Sequence, residues 1–270
     1  MAGSTRPPQT PASLKRDLEA VGIGAGMTLV VHASLSAIGW VVGGAPTVVA
    51  ALIEILGDSG TLAMPAATPL CADPADWSSP RVAEQWLETV RASLPIFDPR
   101  TTPSTMGAIA EAFRGWPGTR RSHHPLESVC ARGPLAEELT RDHPLAFPEG
   151  PGSPFGKMHD AGGWVLLLGV GFNRCTALHY AESVSSARRT TTCRFPVMRP
   201  SGREWIEVPN VADDNDTLFP RIGEGYVSSS PEVCAGKVGE ASAVVFPMRS
   251  LVAYAKAYFE DHLEAGTAEG

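Results

Sequence analysis

Apolar residues recur along the chain at two spacings, one helical and one strand-like, and their order predicts the elements. Over 13–21, Leu14, Leu18 and Val21 fall at helical spacing after Ser13, and Gly24 and Gly26 then interrupt the pattern. The run 27–32 (MTLVVH) has strand length, 34–44 reads as a glycine-containing loop, and 45–56 is a strongly apolar helix stopped by Gly57. A second buried strand follows at 61–65 (TLAMP). Strand, loop, helix and strand in this order predict a βαβ-like unit in an α/β core, with ligand-holding loops at the strand ends.

From 66 to 103 the composition turns to Pro, Asp, Ser and Trp, with one short helical stretch at 82–90, so this segment reads as a mobile or functional excursion from the domain. Further helices are expected at 106–113, 135–140, 176–186 and 248–263, and strands at 164–168 (WVLLL) and 243–246. Pro200, Ser201 and Gly202 between 193–198 and 204–208 are a hairpin signature. The polar, Pro-rich residues 1–12 read as a disordered tail, 13–264 as one domain and 265–270 as a frayed end; no internal repeat is evident.

Composition narrows the function classes. The 270 residues carry 29 acidic and 22 basic side chains, a net charge of -7, with no block of consecutive Lys or Arg, which disfavours nucleic-acid and anionic-membrane partners and suits a cationic ligand. The five cysteines are scattered and never form C-x-x-C, against a disulfide framework or a zinc knuckle, and point to reduced, cytoplasmic thiols. No signal-peptide pattern opens the chain, and no apolar run approaches the ~20 residues of a membrane span.

Three segments are candidates for chemistry. In LLGVGFNRCTALHYAE (167–182) a glycine turn after a buried strand leads into a helix whose spacing puts His179, Glu182 and Ser183 on one face. A His with a carboxylate one turn away can act as an acid–base pair, because an imidazole titrating near 6.5 accepts protons close to neutrality; the same spacing also suits a histidine that merely packs. A metal site would need a third ligand that this spacing does not supply. In VVHASLSAIGWVVGG (30–44), His32 ends a strand and Ser34 and Ser36 occupy the following loop, where backbone N–H groups could hold a phosphate or an oxyanion, or form an ordinary polar turn. The third segment combines FDPRTTPSTMG (97–107), RRSHHP (120–125) and Ser128. Carboxylates available to a polycation are Asp73 and Asp76 in the excursion, Asp98, and the cluster Asp213, Asp214 and Asp216.

The order HASLSAIG, FDPRTTPSTMGAIAE, GTRRSHHPLESVCARG, GSPFGKM and LLLGVGFNRCTALHYAE resembles the aminoglycoside 3-N-acetyltransferase family, the antibiotic N-acetyltransferase group, from about residue 14 to 182 and more faintly beyond. The resemblance implies a central mixed sheet flanked by helices, α/β (α+β), with a smaller accessory lobe and unlike the GCN5-type acetyltransferases. It implies acetyl-CoA as co-substrate, no metal, a small-molecule aminoglycoside acceptor, and a monomer or homodimer. The family's catalytic histidine and helix carboxylate fall on His179 and Glu182, and its strand-end histidine on His32. Its coenzyme loop falls on His32, Ala33, Ser34, Leu35 and Ser36, and its P-x-x-M-G segment on Pro103, Ser104, Thr105, Met106 and Gly107. Substrate contacts are expected from Asp73, Asp98, Glu182, Asp213, Asp214 and Asp216. Asn173 and Tyr180 depart from the Asp and Leu common in the family, which bears on substrate range. Acetylation of another amine, such as an amino sugar or amino-phosphonate, and a non-catalytic CoA-binding protein are the competing readings. A thioesterase is disfavoured because no G-x-S-x-G elbow is present.

Overall fold

A computed structural model describes residues 7–212, 216–263 and 266–267 of the chain. The first half runs α1 (Pro11–Ala20), β1 (Thr28–Ala33), α2 (Leu35–Ile38), α3 (Ala45–Leu56), β2 (Thr61–Pro65), α4 (Leu87–Ser93), α5 (Ala108–Arg114), β3 (Arg120–Arg121), β4 (Val129–Arg132) and α6 (Ala136–Thr140). The second half adds α7 (Pro154–Asp160), β5 (Trp164–Leu168), α8 (Ala177–Ser183), β6 (Arg189–Arg199), β7 (Gly202–Val211), α9 (Leu218–Ser229), β8 (Cys234–Val238), β9 (Ala241–Pro247), α10 (Met248–His262) and β10 (Gly266–Thr267).

Seven strands form the main sheet in the order β3-β4-β2-β1-β5-β9-β8. Central β1 is parallel to both neighbours, with Val30 opposite Ala63 and Val165, while the outer pairs are antiparallel. Alternation along β1 separates two apolar layers: Leu29 and Val31 pack with α1, α3 and α5, whereas Val30 packs with α8, α9 and α10. Being covered on both faces is why 61–65 and 164–168 read as unbroken apolar runs. A mixed sheet between helices, with a second three-stranded sheet β10-β6-β7, matches the architecture expected from the sequence.

Local chemistry corrects several boundaries. Thr10 caps α1: its hydroxyl accepts from Ser13 N at 3.1 Å and Ser13 Oγ accepts from Thr10 N at 2.9 Å, so Ser13 is the third residue of the helix and not its start. Before the helix, Gln9 exchanges backbone hydrogen bonds with Trp40 and Val42. Helix α5 begins at Ala108, since Gly107 has φ of 91°. Gly169, at φ 68°, turns the chain after β5 so closely that a Cβ would lie 2.4 Å from that of Ala37.

The excursion over 66–103 is tied down. Cys71, Phe97, Leu126 and Phe195 form a third apolar cluster beneath the β6–β7 hairpin. Asp73, 3% exposed, receives Arg91 and Arg194, each at 2.8 Å, and its backbone N donates to Arg194 O. Hairpin and excursion are thus packed against one another.

Candidate active site

Two cavities meet where the parallel strands β1, β2 and β5 end, the position at which open α/β sheets hold ligands. The first, about 360 Å³, is lined by Val31, His32, Ala33, Met64, Pro65, Thr105, Met106, Ile109, Ala110, Val170, Arg174 and Thr176. The second, about 320 Å³, is lined by Ala67, Pro69, Met106, Glu127, Glu149, Asn173, Arg174, Cys175, Thr176, His179, Asn210, Val211 and Phe219. Met106, Arg174 and Thr176 belong to both walls, so the cavities adjoin. One holds His32 among mostly aliphatic side chains; the other holds His179 with the carboxylates of Glu127 and Glu149, and Arg174 borders both.

His179 rises from the first turn of α8, which follows the Gly169 turn, and its ring meets Phe219 edge-on at 4.8 Å. His32 is the penultimate residue of β1, 8% exposed, and its Nε2 has no hydrogen-bond partner among the described residues. Burial, and secondarily the neighbouring His179, push its pKa down to about 3. A neutral, weakly basic imidazole and a second imidazole therefore flank the junction. Cys175 also borders the acidic cavity, but burial pushes its thiol up to about 12, so it stays protonated and is a poor nucleophile.

Glu182 departs from the expected arrangement. It is fully buried at 0% exposure, one helical turn beyond His179, and its Oε1 accepts from Arg189 Nε at 2.9 Å. It lines neither cavity. It lies in α8 itself, buried against the guanidinium of Arg189 that opens β6.

The remaining expected residues separate by position. Of the coenzyme set, His32, Ala33, Thr105 and Met106 line the first cavity, whereas Ser34, Leu35, Ser36, Ser104 and Gly107 shape the loops behind it. Ser34 N donates to Leu168 O at 2.9 Å and its hydroxyl meets that of Ser36 at 3.1 Å; Leu35 packs on the core; Ser104 N donates to Glu111 at 2.9 Å. Asp73 sits in a shared ion pair and lines neither cavity: burial alone would raise its pKa, but Arg91, the Ala75 amide and Arg194 outweigh it and hold it below the usual value. Asp98 closes its own turn, accepting from Arg100 N at 2.8 Å and pairing with the Arg100 side chain, and it lines neither cavity. Asp216 reaches the rim, where it accepts from Asn173 Nδ2 at 3.1 Å. Asp213 and Asp214 lie outside the described residues.

Glu127 and Glu149, the carboxylates that do line the acidic cavity, went unmarked in the sequence. Glu127 sits inside SHHPLES, a segment whose place in the order was legible while the role of its individual residues was not. Two buried histidines stand behind this wall. His124 is 1% exposed with its pKa lowered to about 4, and His143 is 8% exposed at about 3, both chiefly through burial. An unfolded histidine titrates near 6.5, so between that value and the folded ones the unfolded chain binds the extra protons. Stability is therefore complete above about pH 6.5 and falls on acidification by about 1 kcal/mol per pH unit for each of these histidines. Thermal melts from pH 7.5 to pH 5 are expected to show this loss, with a shallower slope in His143→Gln; identical slopes for the two proteins would contradict it.

No group of three or more His, Cys, Asp and Glu able to hold a metal occurs among the described residues, and no described helix is long and apolar enough to cross a membrane.

His179, Glu127 and Glu149 thus line one cavity and His32 the adjoining one, at the strand ends of a mixed α/β sheet. The chain belongs to the aminoglycoside 3-N-acetyltransferase family, whose model matches residues 30–260. It is similar to the prophage-derived aminoglycoside N(3')-acetyltransferase-like protein YokD of Bacillus subtilis, 36% identical over 95% of this chain and 94% of that protein. The crystal structure of YokD superposes with a TM-score of 0.91, covering 96% of each chain. It is also similar to aminoglycoside N(3)-acetyltransferase VII of Streptomyces paromomycinus, 34% identical over 95% of this chain and 93% of that one. The structure of AAC-IIIb, a binary complex with CoASH, matches with a TM-score of 0.83 at 30% identity, over 96% of this chain and 98% of that one.

Proposed function

We propose that this protein transfers the acetyl group of acetyl-CoA to the 3-amino group of a 2-deoxystreptamine aminoglycoside, and so protects against the antibiotic. The observation that carries the reading is the junction of the two cavities: His179 beside Glu127 and Glu149 on one side, His32 on the other. The thioester end of the coenzyme belongs in the apolar cavity and the amine in the acidic one.

The acceptor amine arrives as an ammonium without a lone pair, so a base must take one of its protons. His179 is that base. The freed nitrogen attacks the thioester carbonyl carbon; the C–N bond forms as the carbonyl π electrons move to oxygen. The tetrahedral oxyanion then collapses as the second proton of the attacking nitrogen passes to water, the C–S bond breaks, and the sulfur leaves as a thiolate that takes up the proton held by His179. Buried Glu182 supports the transient imidazolium electrostatically from one helical turn away. His32, with its pKa near 3, is no base at neutral pH; its ring stands on the thioester side, where a neutral donor favours the oxyanion. The protonated state of Cys175 favours this direct transfer over an S-acyl-enzyme.

Glu127 and Glu149 would hold the remaining ammonium groups. Glu127→Gln and Glu149→Gln are each expected to raise KM for the aminoglycoside about 10-fold with little change in kcat or in KM for acetyl-CoA. Initial rates with both substrates varied check this, and an unchanged aminoglycoside KM in both variants would place the acceptor elsewhere. The reading as a whole is tested by thiol release with acetyl-CoA and neamine, followed by NMR of the product. Acetylation of the 3-amino nitrogen supports it; acetylation of a hydroxyl or of the other ring overturns it.

A further inference from the structure

The SHHP segment has no role in the chemistry above, yet its second histidine is held by every polar atom it has. His124 Nδ1 accepts from two consecutive backbone amides, Leu126 N at 3.1 Å and Glu127 N at 2.8 Å. A ring nitrogen that accepts hydrogen bonds carries no proton, so the proton sits on Nε2, which donates to Leu145 O at 3.2 Å. The ring is enclosed by His143 and Phe195 at centroid distances of 4.9 and 5.6 Å. His143 repeats the arrangement: Nε2 donates to Pro148 O at 2.6 Å, so Nδ1 accepts from the Ser122 hydroxyl at 2.8 Å, and that hydroxyl accepts from Val129 N.

These bonds converge on the acidic wall. The turn closed by His124 ends on Glu127, and the segment that His124 and His143 hold from the other side, through Leu145 O and Pro148 O, leads directly into Glu149. Neither carboxylate lies on a helix or strand that would fix it, and both line the acceptor cavity. We propose that His124 is a positioning residue for the acceptor: acting through the Glu127 backbone, it sets where the carboxylate meets an ammonium group of a polyamine substrate. This rests on the acceptor reading of the acidic cavity given above. A loop carboxylate displaced by about 1 Å loses much of a charge-assisted hydrogen bond, so the effect belongs in acceptor binding.

The side chain can be dissected by isosteres. Asparagine places an amide oxygen near the position of Nδ1 and keeps the cap on both amides; glutamine reaches toward Nε2 and loses the cap. His124→Gln is expected to raise KM for neamine about 10-fold, while His124→Asn stays within about 2-fold of the unchanged protein and neither alters KM for acetyl-CoA. In Glu127→Gln, adding His124→Gln should cause no further rise, because the two changes act on one contact. Equal effects of Asn and Gln, equal effects on both substrates, or additive losses in the double variant would each overturn the proposal. If Glu127→Gln itself leaves KM unchanged, the acceptor reading fails; if it raises KM but His124→Gln does not, only the role of His124 fails. Should His124→Gln not fold, NMR of the unchanged protein decides. Neamine, and not CoA, should shift the Leu126 and Glu127 amide resonances with the His124 proton remaining on Nε2; unmoved amides or a proton on Nδ1 would overturn it.

Discussion

His179→Ala is expected to lower kcat by about 10²–10⁴-fold, the range for lost general-base catalysis, while dissociation constants for CoA and the aminoglycoside change little. The small effect on binding follows from the proposed site, in which Glu127 and Glu149 would hold the acceptor and the cavity around Met106 the thioester, whether or not the imidazole is present. His32→Ala should cost less and keep the acidic limb of the pH–rate profile in place, because an imidazole with pKa about 3 carries no proton change in the working range. Loss of Glu182 should move that limb to lower pH without abolishing turnover, and should also destabilise the protein, since Arg189 loses its buried partner. The kcat values of the three variants across pH check the assignment. A larger loss in His32→Ala than in His179→Ala would exchange the roles of the two histidines.

Asp73→Ala is expected to cost about 3 kcal/mol of stability, a drop of roughly 6–12 °C in Tm for a chain of this size. Its carboxylate, 3% exposed, is shared by Arg91 from α4 and Arg194 from β6, so removal takes the common partner from both guanidinium groups and loosens the excursion from the hairpin. The neighbouring carboxylates do not compensate, because Glu88 already pairs with Arg91 on the exposed side. Calorimetry or a thermal melt measures the loss. KM for the aminoglycoside, measured well below the lowered Tm, should stay near that of the unchanged protein; a raised KM with unchanged Tm would restore Asp73 as a substrate ligand.

The limits of the sequence reading follow from the same contacts. Buried parallel strands announce themselves as apolar runs, so 61–65 and 164–168 match β2 and β5 residue for residue, and 45–56 matches α3 because Gly57 stops it. Two-residue β3 and the exposed edge strand β8 (CAGKV) carry no such pattern, since neither is covered on both faces. Helix α9 (LFPRIGEGYVSS) was hidden by its proline and two glycines, although Phe219, Ile222 and Tyr226 recur at helical spacing. At the site, His179 and His32 were legible because motif order singled them out. The acidic wall was not, because a carboxylate count cannot separate Asp73, neutralised by two arginines, from Glu127, held at the cavity by a histidine cap.

A crystal structure of the protein with CoA and an aminoglycoside bound together tests the central claim most directly. The account predicts the thiol in the apolar cavity beside His32 and Met106, and the 3-amino nitrogen within hydrogen-bond distance of His179, with other ammonium groups against Glu127 and Glu149. An aminoglycoside whose 3-amino nitrogen lies away from His179, or a thiol placed outside the junction of the two cavities, would contradict it.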